Sequence, residues 1–127
     1  MITLLNDYYR IDSRVAENDD TFLFGVMLLP AYRAYAGHFP GNPISPGVCN
    51  IQMIKECAEQ LAGKHLFLNY IAKCRFSAVL TPQTTDNLQL RIRITNYEPV
   101  GTYQALATLF NDTTTYMEFK GEFAEIK

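Results

Sequence analysis

Residues 47–63 read GVCNIQMIKECAEQLAG, and this segment sets the architecture of the chain. Its apolar residues recur at steps of three and four, the spacing that lines one face of a helix: Val48, Ile51, Ile54, Ala58 and Leu61. Gly63 follows the last of them, and a glycine in this place commonly ends a helix. The sequence therefore predicts one long helix with a single apolar stripe.

The rest of the chain is patterned for strands. Six segments have strand composition or a two-residue alternation of apolar and polar residues, and they cover 8–17, 21–29, 67–79, 88–94, 102–110 and 117–123. The turn signal Asn18-Asp19-Asp20 joins the first two as a hairpin. One helix among about six strands can bury its stripe only against a single antiparallel sheet that curls around it. We expect an α+β fold, with a curved antiparallel sheet wrapped around one long central helix.

The composition is that of one globular domain, expected to span residues 1–127. Hydrophobic residues make up 48% of the chain and charged residues 19%, with a net charge of −2. This balance, with no basic run, argues against a nucleic-acid partner. No apolar run approaches the roughly 20 residues of a membrane span. Residues 1–7 lack the pattern of a signal peptide, so a cytoplasmic location without membrane attachment is expected.

The loop before the helix, residues 37–48, reads GHFPGNPISPGV. Three prolines within seven residues restrict its backbone, and three glycines allow turns or close approaches that other residues resist. Such a loop holds the imidazole of His38 still. Rigid placement of a titratable group suits general acid–base catalysis.

From residue 37 into the helix, GHFPGNPISPGVCNIQMIKE resembles the active-site segment of the β-hydroxyacyl-acyl carrier protein dehydratases, roughly GHFPGxPxMPGVxxxEAxxQ. The resemblance implies the hotdog fold and dehydration of 3-hydroxyacyl thioesters to trans-2-enoyl thioesters in fatty-acid or related lipid or polyene synthesis. The substrate would be carried on the phosphopantetheine of acyl carrier protein or on coenzyme A, with no metal and no other cofactor. A homodimer is expected, with a higher oligomer or a heterodimer with a related subunit as alternatives.

The same resemblance assigns roles to residues. His38 would remove the α proton, and the amide of Gly47 would polarise the thioester carbonyl, with Val48 and Phe39 at the substrate. Free amides at a helix start favour negative charge, which supports the Gly47 assignment independently. The position of the catalytic carboxylic acid falls on residue 52.

At that position the chain departs from the dehydratase pattern. Gln52 replaces the acid, and Glu56 stands where the pattern has glutamine. A glutamine forms hydrogen bonds but cannot donate a proton as an acid does. Glu56 lies one turn on, on the same face, so it is either a catalytic carboxylate acting through water or through Gln52, or a structural one hydrogen-bonded at the dimer interface.

Two other functions stay open beside dehydration. Gln52 is compatible with a degenerate hotdog subunit that binds acyl thioesters or supports an active partner without completing the reaction. Acyl thioester hydrolysis is the further alternative, because a fold does not by itself fix a reaction.

Several other residues have two interpretations. The three cysteines, Cys49, Cys57 and Cys74, lack paired spacing and are expected as reduced thiols, with Cys49 either a core side chain or a nucleophile near His38. Lys73 and Arg75 are either solvated or carrier-binding, and the aromatic residues of the loop region either pack or line an acyl tunnel: Tyr32, Tyr35 and Phe39. His65 is expected in a loop.

Overall fold

The computed structural model describes residues 3–32, 45–82, 86–97 and 100–126. These residues form six strands and one helix: β1 (Tyr9–Ala16), β2 (Thr21–Leu28), α1 (Gly47–Ala62), β3 (Leu66–Phe76), β4 (Gln89–Tyr97), β5 (Thr102–Phe110) and β6 (Thr115–Glu125). All the predicted elements are confirmed, with small shifts at their ends.

The six strands form one antiparallel sheet in the order β1-β2-β4-β5-β6-β3. The predicted hairpin joins β1 and β2, with Tyr9 opposite Leu28. Asn18 closes its turn, because its Oδ1 accepts hydrogen bonds from the amides of Asp20 and Thr21 at 3.0 and 2.9 Å. The sheet curves around α1, which confirms the expected α+β architecture.

The core lies between α1 and the concave face of the sheet. The helix contributes Met53, Ile54, Cys57 and Ala58, and the strands contribute alternate residues, among them Phe24, Leu90, Ile92, Ala105, Leu109, Met117, Phe119 and Phe123. The predicted stripe is wrong at Val48, which is 76% exposed. At 3.6 residues per turn, Val48 lies roughly 120° around the helix axis from the buried Ile54, and so off the face that packs on the sheet.

Both ends of α1 are set by the backbone preferences of their flanking residues. Pro46 precedes the helix with extended angles (φ −68°, ψ 136°). Gly63 follows it in the left-handed region (φ 67°), and its amide donates to the Glu59 carbonyl at 2.9 Å. A side chain at residue 63 would be strained there, so the stop predicted at Gly63 is confirmed.

Candidate active site

The candidate site surrounds the first three turns of α1. His38 and Phe39, the base and the loop aromatic of the dehydratase pattern, lie outside the described residues, as does Tyr35. What the structure describes is the helix start that follows their loop, together with Gln52 and Glu56.

At the start of the helix, two backbone donors have no acceptor among the described residues. Pro46 provides no side-chain cap, and its carbonyl accepts from the amides of Cys49 and Asn50 at 3.1 and 3.2 Å. No described residue accepts a hydrogen bond from the amides of Gly47 or Val48. Such first-turn amides carry the positive end of the helix dipole, so they suit an oxygen that gains negative charge.

An aromatic ring lies directly against this helix start. A Cβ built on Gly47 would lie 2.6 Å from Cζ of Phe76, at the end of β3. Glycine is therefore the residue that allows the ring to approach the backbone here. Phe76 is still 55% exposed, so it forms an apolar wall beside the available amides.

A buried polar network fixes the other side of the helix start. Tyr8 Oη donates to Asn50 Oδ1 at 2.6 Å, and Ser45 Oγ donates to the same oxygen at 3.0 Å. The Tyr8 and Ser45 hydroxyl oxygens also contact each other; each hydroxyl has one proton, so when both donate to Asn50 neither donates to the other. The Ser45 amide donates to the Leu80 carbonyl at 2.8 Å. The network thus joins the segment before β1, the residue before Pro46, and the first turn of α1.

Gln52 is held in one orientation by its neighbour. Its Nε2 donates to Glu56 Oε2 at 2.9 Å. Because a carboxylate only accepts hydrogen bonds, the amide nitrogen must face Glu56. The Gln52 carbonyl oxygen is then the atom left to accept a bond from another group.

Glu56 is buried, and each of its two carboxylate oxygens accepts two hydrogen bonds. Oε2 accepts from Gln52 and from the Leu4 amide at 2.8 Å, while Oε1 accepts from the Leu5 amide at 3.0 Å and from Tyr9 Oη at 2.9 Å. These four donors fill the acceptor sites of an ionised carboxylate. In this chain Glu56 therefore ties the segment before β1 to the helix and fixes Gln52.

The groups packed beside Glu56 are held in their neutral forms. Burial raises the pKa of the Tyr9 phenol far above its ordinary range, and the nearby Cys57 and Glu56 act in the same direction. Burial likewise raises the pKa of the Cys57 thiol to about 12. Both side chains therefore pack here as uncharged groups at neutral pH.

The predicted reduced cysteines are confirmed, since Cys49, Cys57 and Cys74 are free. Cys49 is half-buried, and burial raises the pKa of its thiol. A nucleophilic thiolate needs the opposite shift. The structure therefore favours the core interpretation of Cys49.

The remaining candidates lie away from the helix start. His65 is in the loop after α1, as predicted, with its side chain 77% exposed and Nδ1 3.8 Å from Glu59 Oε2. Lys73 is on the outer strand β3, and its Nζ lies 3.4 Å from Oε2 of Glu118. Arg75, two residues further along the same strand, is exposed. Tyr32 packs edge-on against Tyr8, with ring centroids 5.2 Å apart.

An open cavity of about 340 Å³ lies beside Glu56 but faces the other end of the helix. Its lining includes Glu59, Gly63 and His65. At 1.5 Å per residue, Gly63 lies roughly 24 Å along the helix axis from Gly47. This cavity is therefore distinct from the first-turn amides of α1.

Sequence reasoning missed the partners of Glu56 and the whole Tyr8–Ser45–Asn50 network. The sequence pattern predicts only a strand for Tyr8 and Tyr9. The one visible signal was Ser45, which stands where the dehydratase pattern has methionine. The amides of Leu4 and Leu5 have no signature in a sequence.

The described fold, one helix enclosed by a curved six-stranded antiparallel sheet, defines a hotdog-fold protein. A chain of the dehydratase heterocomplex ApeI:P from Xenorhabdus doucetiae has the same fold, with a TM-score of 0.69 at 21% identity, over 91% of this chain and 96% of that one. The CurK dehydratase, solved as its H996F inactive mutant, aligns with a TM-score of 0.54 at 14% identity over 91% of this chain and 42% of that one.

Residues 14–109 match the ApeI-like family, described as ApeI dehydratase. Because the match covers most of the chain, this protein belongs to the ApeI-like dehydratase family. It is also similar to two proteins named 3-hydroxyacyl-[acyl-carrier-protein] dehydratase FabZ. The Legionella pneumophila protein is 39% identical over 47% of this chain and 45% of its own length. The Lactococcus lactis protein is 31% identical over 67% and 60%. The chain thus spans about half the length of these relatives.

Neither a membrane-spanning helix nor a metal-binding cluster occurs among the described residues. In the part of the chain that the structure describes, no helix is long and apolar enough to cross a membrane. Among the same residues, no cluster of three or more His, Cys, Asp or Glu side chains is arranged to hold a metal ion.

Proposed function

We propose that this chain dehydrates 3-hydroxyacyl thioesters to trans-2-enoyl thioesters, with the acyl group carried by acyl carrier protein or coenzyme A. The observation that carries the proposal is the pair of available amides, Gly47 and Val48, at the start of the helix that follows the His38 loop. Membership of a dehydratase family supports the choice of reaction.

In this proposal, the two amides stabilise the transition state electrostatically. Removing the α proton moves negative charge onto the thioester oxygen, and amides fixed beforehand stabilise that charge without reorganising. Phe76 adds an apolar wall that keeps water from competing for them. Phe39 and the exposed Val48 side chain are proposed to contact the acyl thioester.

His38 is the proposed base. Its neutral imidazole takes the α proton, and the imidazolium then returns a proton to the leaving hydroxyl. A C–H and a C–O bond break, the C=C bond forms, and water leaves, so the atoms balance. One imidazole can perform both transfers, because it is a base before the first step and an acid after it.

Gln52 and Glu56 are proposed to act together on the 3-hydroxyl group. The Gln52 carbonyl oxygen accepts a hydrogen bond from that hydroxyl and so positions the leaving group. Glu56 acts through Gln52 by holding its amide nitrogen at 2.9 Å. This division makes Gln52 the substrate contact and Glu56 a positioning residue.

The direct experiment supplies the purified protein with 3-hydroxyacyl and 2-enoyl coenzyme A thioesters. Water loss or addition that disappears in His38→Ala supports dehydration. His65→Ala is the matched control, because it removes the second of the two histidines, which is exposed in a loop. Release of free thiol indicates a thioesterase instead, and no change in either thioester contradicts an enzymatic role for the isolated chain.

A second candidate is a degenerate subunit that binds acyl thioesters or supports an active partner. The observation in its favour is Gln52, which occupies the position of the acid and cannot itself protonate a leaving group. A dehydratase heterocomplex among the structural neighbours makes such pairing a reasonable expectation. If the single chain is inactive but binds an acyl thioester, this candidate replaces the first.

We also propose that the chain works as a homodimer, with a heterodimer with a related subunit, or a higher oligomer, as alternatives. The terminal strand β3 supports this, because it exposes Tyr70 and Ile71 beside an unpaired sheet edge within the described sheet. Exposed edges and apolar patches of this kind are used for association. The mass of the purified protein in solution tests the assembly.

A further inference from the structure

The buried polar network of Tyr8, Ser45 and Asn50 has no part in the reaction steps above. All three residues are more than nine-tenths buried. They come from separate segments, with Ser45 and Asn50 on either side of the helix start and Tyr8 just before β1. Burying three polar side chains is costly unless they are bonded to one another, as they are here.

The reason for this network lies in the residue that precedes α1. A helix start is ordinarily fixed by a Ser, Thr, Asn or Asp whose side chain accepts a bond from the second or third amide. Here that residue is Pro46, which provides no such bond. An ordinary cap would have competed with a ligand for the amide of Val48 or Cys49. Pro46 leaves the amides of Gly47 and Val48 without an acceptor among the described residues, but it also leaves the turn without its usual side-chain cap.

The network supplies an anchor that leaves those amides open. Asn50, in the first turn, accepts bonds through Oδ1 from Tyr8 at 2.6 Å and from Ser45 at 3.0 Å. Ser45 is also tied through its amide to Leu80. Each bond fixes the position of the turn, yet none involves the amide of Gly47 or Val48.

We propose that Tyr8, Ser45 and Asn50 are positioning residues that replace the helix cap, so that the amides of Gly47 and Val48 are held in place and left available for a thioester oxygen. This inference rests on the proposed dehydratase function. Ser45 stands where the dehydratase pattern has methionine, which has no hydroxyl to donate. A chain that follows the pattern with methionine at this position could not form the Ser45 hydroxyl bonds.

The test uses Tyr8→Phe and Ser45→Ala, each of which deletes one hydroxyl, with Ser45→Thr retaining it. Tyr116→Phe is the matched control, because its hydroxyl accepts from Asn111 at 3.0 Å and takes no part in the network. Steady-state dehydration of a 3-hydroxyacyl coenzyme A is measured for each. We expect kcat to fall about 10- to 100-fold in the first two variants with KM within about twofold, since displaced catalytic groups act on the transition state. Ser45→Thr and Tyr116→Phe keep the parent kcat.

Pro46→Ser separates positioning from general stabilisation. A serine at residue 46 can cap the helix, so we expect the melting temperature to rise. Its side chain accepts from the Val48 amide, which is then no longer available to a thioester oxygen, so we expect kcat to fall. If the network served only stability, activity would follow the folded fraction in every variant. A Tyr8→Phe protein with parental kcat, or a Pro46→Ser protein that gains both stability and kcat, overturns the proposal.

A readout independent of turnover distinguishes this inference from the proposed function. The amide resonances of Gly47 and Val48, followed by ¹⁵N NMR, are expected to shift in Tyr8→Phe and Ser45→Ala but not in Tyr116→Phe. An inactive parent protein contradicts the proposed dehydration, and the same spectra still decide whether the network positions these amides. Unmoved resonances in both network variants would contradict the positioning role.

Discussion

Gln52 donates to Glu56 across one helical turn at 2.9 Å, so the two residues that have exchanged places relative to the dehydratase pattern are bonded to each other. The exchange also changes which hydrogen bonds the helix can accept at residue 56. Glu56 also accepts from the amides of Leu4 and Leu5 and from Tyr9, which a glutamine with its single acceptor oxygen could not satisfy. The position of the carboxylate therefore affects the fold and the site together.

Glu56→Gln tests this double role. The new amide group would face a backbone N–H, so at least one buried donor loses its acceptor, and we expect a loss of about 2–3 kcal/mol in the free energy of unfolding. Dehydration should fall further than the folded fraction, because Gln52 loses its fixed orientation. Urea unfolding and steady-state kinetics measure the two effects. Glu59→Gln is the control on the same helix, since among the described residues the Glu59 carboxylate accepts from one backbone amide, that of Leu66. Unchanged turnover in Glu56→Gln would remove Glu56 from the mechanism.

Gln52→Glu should change both the stability and the pH dependence of the protein. The introduced carboxyl lies within hydrogen-bond distance of the Glu56 carboxylate, and the like charge raises the pKa of the introduced group. A pKa that is higher in the folded than in the unfolded state makes stability fall as pH rises. Relative to the parent, the variant should be least affected below about pH 4.3, the ordinary glutamate value, and lose stability above it.

The same variant tests the source of the leaving-group proton. A carboxylic acid at this position should increase dehydration and add a decline in kcat at high pH that the parent lacks, because the parent's glutamine does not titrate. Gln60→Glu is the control, with the same added charge four residues beyond Glu56 but on an exposed site. A parent profile that already declines as a carboxylic acid ionises would contradict the role given to Gln52.

Gly47→Ala probes the contact with Phe76. The added methyl would lie 2.6 Å from Cζ of the ring, so the half-exposed ring must move. We expect a stability loss of only about 1 kcal/mol, because the ring can move into solvent. Turnover should fall more, since the displaced ring no longer shields the amides. Combining Gly47→Ala with Phe76→Leu should recover part of the loss, and purely additive effects in the double mutant would contradict the contact.

Alkaline unfolding should reveal the buried thiol of Cys57. Its pKa is about 12 in the folded protein against an ordinary 9.0, because burial disfavours the thiolate. The stability from the neutral thiol is complete below pH 9 and is lost as pH rises toward 12, by at most about 1.4 kcal/mol per pH unit. Urea unfolding between about pH 8 and about pH 11 should therefore show a shallower decline in Cys57→Ala. Cys74→Ala, which removes a less buried thiol, should stay close to the parent slope.

Local patterns were sufficient for most of the fold. The three- and four-residue spacing predicted α1, and the stop at Gly63 follows from its left-handed backbone. Alternation in the later segments likewise predicted β4 and β6. The error at Val48 has a simple cause: two successive steps of three residues shift the position around the helix, so Val48 lies roughly 120° from Ile54 and off the buried face.

The site was less accessible from sequence because its contacts are not local. Glu56 bonds to backbone amides more than 50 residues away, and backbone groups are the same in every sequence. The exchange of acid and amide was visible at residues 52 and 56, but the bond between them could only be anticipated from their shared helix face. Whether Glu56 is placed to donate or to accept depended on partners that only the three-dimensional structure shows.

The bonds from residues 4 and 5 to Glu56 have a consequence for how this chain can diverge. Because the donors are main-chain N–H groups, nearly any side chain is compatible with them, and proline alone would delete a donor. As far as these two bonds are concerned, homologues that keep this attachment can carry other residues in place of both leucines. Among related proteins, conservation of the attachment would then be visible almost entirely as conservation of Glu56, which is the position that a search for it should compare.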